Sequence, residues 1–398
     1  MRIVYVVGGL SQEDGMSQVL SQKINWLARH TDAELYMILT EDSGQPWKYD
    51  IDSRVKWVNF RLNFDELDCM PVHRKVFSYW KKQRRYRRLF SDYLLQLRPD
   101  ITVSTVRREI NFINDIPDGS RKIGEIHFNK SDYRHFEKRF LPAAVNRFVS
   151  RKWMASLERQ VRRLDHFVVL TEEDRQAWAG FDHVSVISNP LKCFPQDSQV
   201  STCEERRVIA VGRYTWQKGF DLLLQAWEKA LRSPRPGQDG HGGDGHASLP
   251  WHLDIYGAGD HAAYQAMADE KGLSDSVTCH PPTRHIYDEY ARSSIFVLSS
   301  RYEGFGLVLA EAMSCGVPCV SFACPCGPRD IIRDGEDGKL VERENTGELA
   351  AALRLLMDDE RLRRQMGAAA RRNIRRYSED QIMLQWKQLF WGNKETRP

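Results

Sequence analysis

Hydrophobic positions along the chain fall into short runs at two different periods. Runs rich in β-branched and aromatic residues at Arg2–Val7, Glu34–Leu39, Lys56–Phe60, Ile101–Val106, Lys122–Ile126, Phe167–Leu170 and Val184–Ile187 alternate with segments of helical spacing. Such alternation predicts a parallel sheet with crossover helices. After about residue 200 the pattern restarts as RVIAVGR, WHLDIYG, SVTCH, IFVLSS, VPCVSF and GKLVE, separated by amphipathic stretches such as Phe220–Leu231 and Thr346–Met357. The prediction is α/β: two doubly wound domains in tandem, over 1–190 and 191–375, a division that 398 residues can fill with two cores. Beyond them, residues 376–398 contain SEDQIMLQWKQLFW after Tyr377. Its Ser378/Gln381 capping-box pattern and the helical spacing of Ile382, Met383, Trp386, Leu389 and Phe390 predict a terminal amphipathic helix.

Composition narrows the class. Hydrophobic residues make up 41% of the chain, and no apolar run approaches the roughly 20 residues that a membrane-spanning helix needs. The opening MRIVYVVGGLSQEDG lacks the longer apolar core and small-residue cleavage site of a signal peptide and reads as the first strand. Eight cysteines are too sparse for a disulfide scaffold, so reduced thiols and a cytoplasmic location are expected. SPRPGQDGHGGDGHASLP, at 233–250, reads as a mobile surface loop whose His241 and His246 are solvated, not metal-bound.

Charge is unevenly spread. The net value is +4, yet residues 74–163 carry 23 basic against 9 acidic side chains, which points to an anionic partner. Within them, residues 74–98 combine basic residues with Phe77, Tyr79, Trp80, Tyr86, Leu89, Phe90 and Tyr93. On a helix that set suits the headgroup region of an anionic membrane, with a solvated helix against the core and a grip on RNA as the other readings. The membrane reading is taken, without nucleic acid as a partner.

Candidate chemistry concentrates in SSRYEGFGLVLAEAMSCGVPCVSF, where an apolar strand ends in a loop bearing Glu303, a Gly-Phe-Gly turn, and a helix containing Glu311. Two carboxylates eight residues apart can face one ligand at the carboxyl end of a strand and accept hydrogen bonds from sugar and ribose hydroxyls. Backbone N–H groups around Gly306 to Val308 suit a diphosphate. On spacing alone, Glu303 could instead cap the helix and Glu311 be a solvated helix residue. VGRYTWQKGFDLLLQAW places Arg213 and Lys218 in another loop at a strand end, where two cations would offset a diphosphate leaving group. Asp50-Ile51-Asp52 spells a metal-binding pattern but falls in a polar loop, and Cys315, Cys319, Cys324 and Cys326 lack paired zinc spacing and read as core residues.

Together these residues resemble the family-4, retaining glycosyltransferases of the GT-B fold. Glu303–Glu311 stands as their E-x7-E motif and Arg213 and Lys218 as their Arg/Lys loop, while VVLTEEDRQAW and VISNP match the segment before the second domain. The likeness runs from about 165 to 375; the first 160 residues match in outline, through GGLSQEDGMSQVL and EIHFN. It implies two Rossmann-like domains facing a central cleft, with the C-terminal helix crossing back to the first. It also implies Glu311 on the ribose, Glu303 on the donor sugar, and the backbone of Phe305, Gly306, Leu307 and Val308 on the distal phosphate and sugar. Arg213 and Lys218 would stabilise the departing diphosphate, and Gly15 would let backbone approach the phosphates from the first domain. His127 would sit near the sugar or acceptor, or be a buried structural histidine. The implied function moves a hexose or N-acetylhexosamine, with retention and without metal or cofactor, from a nucleotide sugar (uridine the favoured base) to a glycan or polyprenyl-linked acceptor in surface-polysaccharide synthesis. The enzyme would be cytoplasmic or peripheral on the inner membrane face. A GT-B phosphorylase, a sugar-nucleotide epimerase and a non-catalytic nucleic-acid-binding protein are the alternatives.

Overall fold

A computed structural model describes residues 1–11, 14–42, 44–130, 143–232 and 250–392. The glycine-rich stretch expected to be a loop, with His241 and His246, lies outside the described residues except for Pro250. The chain divides into two compact units, Met1–Pro190 with Glu379–Pro398, and Leu191–Ser378.

The first unit runs β1 (Arg2–Val7), α1 (Gly15–His30), β2 (Glu34–Leu39), β3 (Lys56–Asn59), α2 (Val72–Leu97), β4 (Ile101–Ser104), β5 (Arg121–Glu125), α3 (Ala143–Val161), β6 (His166–Val169), α4 (Glu172–Ala177) and β7 (Val184–Val186). Its seven strands lie in the order β3-β2-β1-β4-β5-β6-β7, and every pairing is parallel. The strands read as near-continuous apolar runs because helices cover both faces of the sheet. On one face Val4, Val6 and Ile38 pack with Tyr86, Phe90 and Leu94 of α2, Leu157 and Val161 of α3, and Trp178 just after α4.

That packing corrects one expectation. Tyr86 and Phe90, grouped above with the membrane-facing rings, are fully buried, and Tyr79, Leu89 and Tyr93 are half-buried against the same core. The helical period puts positions 79, 86, 90 and 93 on the inward side. Only Phe77 and Trp80 of that set are exposed.

The second unit runs β8 (Arg207–Val211), α5 (Phe220–Arg232), β9 (His252–Tyr256), α6 (His261–Glu270), β10 (Val277–His280), α7 (Ile286–Ala291), β11 (Ile295–Leu298), α8 (Leu307–Ser314), β12 (Cys319–Phe322), α9 (Pro328–Ile331), β13 (Gly338–Val341), α10 (Thr346–Asp358) and α11 (Glu360–Asn373). Six parallel strands lie in the order β10-β9-β8-β11-β12-β13. Leu223, Leu224 and Trp227 of α5 and Leu349, Leu353 and Leu356 of α10 pack with Val208, Ile255 and Val297 of the sheet. Cys315, Cys319, Cys324 and Cys326 are buried free thiols in this unit. Arg376 and Tyr377 still belong to it: both donate to the carbonyl of Asp330.

The last helix, α12 (Glu379–Trp391), therefore starts three residues later than the 376 boundary and lies in the first unit. The indole of Trp26 donates to Asp380 (3.0 Å), and Arg121 donates to the Phe390 carbonyl (3.3 Å). Trp386 is fully buried, its ring 3.5 Å from the ammonium of Lys23. That ammonium is itself buried in a 2.5 Å ion pair with Glu125, at the end of β5. Burial pulls the Lys23 ammonium below its ordinary value. Burial alone would raise the Glu125 carboxyl, but Lys23 and His127 hold it well below the usual range.

Trp386→Ala should destabilise the first unit by about 3–5 kcal/mol, since it empties a core site and removes the ring that covers a buried cation. Urea unfolding followed by far-UV circular dichroism checks this; an unchanged midpoint would show that α12 contributes little to that core.

Candidate functional site

The loop after β8 is stitched to the loop after β11 by bonds that leave little freedom to either. Arg301 inserts between them, 6% exposed, and holds both carboxylate oxygens of Asp221 at 2.9 and 2.7 Å, so that the fork geometry is filled. It also donates to the carbonyl of Trp216 (2.6 Å) and lies 4.5 Å from that indole ring. The Arg301 amide donates to Gln217 O (2.8 Å), Gln217 Nε2 to Tyr302 O (3.0 Å), and Ser299 Oγ to Lys218 O (2.9 Å). Burial would raise the Asp221 carboxyl, yet Arg301 keeps it below the ordinary range.

On this frame Lys218 and Glu303 meet. Lys218, at the end of a short 3-10 turn (Trp216–Lys218), puts Nζ 2.7 Å from Glu303 Oε1, and Ser300 Oγ donates to the same oxygen at 2.6 Å. Glu303 is 5% exposed. It does not cap α8: the capping position is Gly306, with no side-chain cap bond. The capping alternative is thereby removed by where the helix starts.

Gly306 has φ +91°, a left-handed conformation that side chains rarely adopt, and it turns the chain sharply into α8. The amides of Leu307 and Val308 open the helix and, as first-turn amides, have no partner within it. The loop after β12 backs this turn: Glu303 N donates to Pro325 O (3.1 Å), and a Cβ on Gly327 would lie 1.8 Å from Phe305 O. Phe305 itself is buried edge-on against Tyr377.

Glu311 lies one turn further on, half-buried, accepting from the hydroxyl of Tyr290 (3.3 Å). Burial first and the Glu311 carboxylate second raise both Tyr290 and Tyr287 well above the ordinary phenol value, so both hydroxyls keep their protons and remain donors. Arg213 is exposed, and its side chain makes no hydrogen bond or ion pair among the described residues.

Gly15 and His127 belong to the other unit. Gly15 does open α1, but Asp14 caps that end: its Oδ1 takes the Ser17 amide (2.8 Å) and its Oδ2 the Ser17 hydroxyl (2.9 Å). Asp14 thus puts a carboxylate at the helix end whose amides would meet a phosphate. His127 is buried with Nε2 3.1 Å from Glu125 Oε1, and its Nδ1 has no hydrogen-bond partner among the described residues. Asp52, of the metal-like Asp50-Ile51-Asp52 pattern, is taken by Arg54 in a two-pronged pair at 2.8 Å.

Sequence reasoning missed Ser300, Tyr290 and the Arg301–Asp221 pair. Their partners lie 3, 21 and 80 residues away, and only the Ser300–Glu303 spacing was within reach of a local pattern.

Residues 196–373 match the family described as glycosyl transferases group 1. The chain is 34% identical over 236 residues to an exopolysaccharide phosphotransferase of Streptomyces coelicolor, covering 57% of this chain and 23% of that protein. It is 29% identical over 232 residues to the amylovoran biosynthesis glycosyltransferase AmsD of Erwinia amylovora, covering 56% of this chain and 61% of that protein. The chain thus spans less than two thirds of the length of either relative. In structure it is similar to a variant of S. aureus TarM in complex with Fondaparinux, alpha-GlcNAc-glycerol and UDP, with a TM-score of 0.72 at 17% identity over 98% of this chain and 99% of that one. Residues 196–373 form a group 1 glycosyltransferase domain, in a chain whose two parallel-sheet, Rossmann-like units have the GT-B fold.

Proposed function

We propose that the chain transfers a hexose or N-acetylhexosamine from a nucleoside-diphosphate sugar, with uridine as the base, to a glycan or lipid-linked glycan in surface-polysaccharide synthesis. The observation that carries this reading is the buried Lys218–Glu303 pair beside the open amides of α8. Glu303 accepts from hydroxyls of the donor sugar, and Glu311, flanked by the Tyr290 hydroxyl, accepts from the ribose. An ammonium has three hydrogens, so Lys218 can keep one on Glu303 and give the others to phosphate oxygens. With Arg213 and the Leu307 and Val308 amides, it supplies positive charge where the diphosphate leaves. Gly15 is left out of this assignment because Asp14 occupies its helix end.

The transfer is proposed to retain configuration. The acceptor hydroxyl attacks C1 from the leaving-group face as the C1–O bond to the diphosphate breaks, and the proton passes to a donor phosphate oxygen. Glu303 is already committed to Lys218 and Ser300 and acts as an acceptor of hydrogen bonds, not as a nucleophile. Lys218, Arg213 and the α8 amides stand in for a divalent ion, in keeping with metal-independent transfer. His127 is assigned a place near the sugar or acceptor, next to Glu125. The acceptor is taken to be polyprenyl-linked and the enzyme to work at the anionic inner face of the cytoplasmic membrane, touching it through residues 74–98. No helix among the described residues is long and apolar enough to cross a bilayer.

Glu311→Ala should weaken UDP binding by about 1.5–3 kcal/mol, roughly 10- to 150-fold, with the fold intact. Calorimetric titration reads this directly, and parental affinity would reduce Glu311 to a structural role. Lys218→Ala should lower turnover at saturating donor more than donor affinity, because its charge counts most as the diphosphate departs. Combining it with Glu303→Gln should cost about 0.5–3 kcal/mol less or more than the sum of the single losses, since the two groups share an ion pair; strict additivity in kcat/KM would mean that they act independently.

A further inference from the structure

We propose that α3 completes, together with α2, a two-helix surface on the first unit that docks on an anionic lipid bilayer. This rests on the reading of the acceptor as lipid-linked and adds a second element to the contact through residues 74–98.

Two facts of the fold put the helices on one face of the sheet, flanking the segment 109–115 and pointing the same way. Both cover the same face of the sheet, through Tyr86, Phe90, Leu157 and Val161. Both are also tied to the segment between them: Asp115 pairs with Arg87 of α2 (3.5 Å) and with Arg163 just beyond α3 (2.8 Å). Each follows one strand of a parallel sheet and returns to the start of the next, so their N-terminal halves both stand at the carboxyl edge of the strands. The returning ends are fixed there: Arg2 donates to the carbonyl of Leu97, and Lys122 N to Asp165.

At 26 and 19 residues, α2 and α3 span about 39 and 28 Å, against roughly 13–17 Å for the four- and five-residue strands β4 and β5. Their N-terminal halves therefore overrun the sheet. These overrunning halves carry the exposed rings: Phe77 and Trp80 on α2, 74% and 66% exposed, and Phe148 on α3, 58% exposed. Basic residues share these faces at helical spacing, Lys81, Arg84 and Arg88 after Phe77, Arg84 also after Trp80, and Arg151 and Lys152 after Phe148. Along α2 as a whole eight Lys and Arg stand against one acidic residue.

Large rings left in water beside a field of cations are the arrangement that an anionic headgroup layer satisfies on both counts, with rings in the interface and ammonium and guanidinium groups on phosphates. A second copy of the same face would bring like charges together. The docked orientation has a consequence for the reaction: it holds the carboxyl edge of the first unit's sheet, where β1 and β5 lead to Gly8 and His127, toward the lipid layer in which such an acceptor is anchored.

The test is sedimentation of the full chain with vesicles of phosphatidylethanolamine and phosphatidylglycerol, and with vesicles of phosphatidylcholine alone. The parent should partition at least about tenfold more strongly onto the anionic vesicles. Phe77→Ser/Trp80→Ser on α2 and Phe148→Ser on α3 should each lower that partition about tenfold, while circular dichroism and UDP titration stay at parental values. Phe148→Ser binding like the parent, or equal binding to neutral vesicles, overturns the two-helix surface. So does a dimer in vesicle-free ultracentrifugation that Phe148→Ser dissolves, or single-stranded RNA bound more tightly than the vesicles. Failure of UDP binding by the parent would instead strike at the glycosyl-transfer reading itself.

Discussion

A parallel sheet covered on both faces has nowhere to display polar chemistry except at its edges, because each strand's side chains are consumed by packing on one side or the other. In the second unit this constraint fixes where everything else can be. Glu303, Lys218 and the α8 amides all lie in loops that leave the carboxyl ends of β8 and β11, the position at which open α/β sheets bind ligands. Arg301 turns those two loops into one object. A single buried guanidinium satisfied by Asp221, the Trp216 carbonyl and an indole face ties them together, so the Lys218–Glu303 distance is inherited from the frame and is not left to two flexible side chains.

Much of this was legible in the chain itself. Strand positions could be read to within a residue or two because buried parallel strands are written as uninterrupted apolar runs, and Gly306 announced the turn into α8. The inward face of α2 was not legible from composition: Tyr86 and Phe90 look like Phe77 and Trp80 until the helical phase is set by what lies beneath. Ion pairs were invisible for a different reason. Lys23 and Glu125 are 102 residues apart, and Arg301 and Asp221 are 80 apart, so no local pattern links them. Asp14 is the reverse case, a capping residue that lies within reach of a local pattern, directly before Gly15.

The first unit keeps its own buried polar centre. Lys23 and Glu125 form an ion pair shut away from water, roofed by Trp386 and bordered by His127. Removing one member of such a pair typically costs more than its presence contributes, since the survivor is left charged in a dry site. Three distant pieces of chain, α1, the end of β5 and α12, are thus held to agree on one geometry. The last helix is thereby anchored in the first unit through Trp386.

The contact of Gly327 with Phe305 has a bearing on how such a site can change over time. With no room for even one methyl group between two backbones, the loop after β12 acts as a mould for the turn that opens α8. A lineage that reshapes the backbone of residues 303–308 cannot do so alone; such a change must be matched in 323–327, so these residues govern the shape of the turn even though none of their side chains needs to touch a ligand.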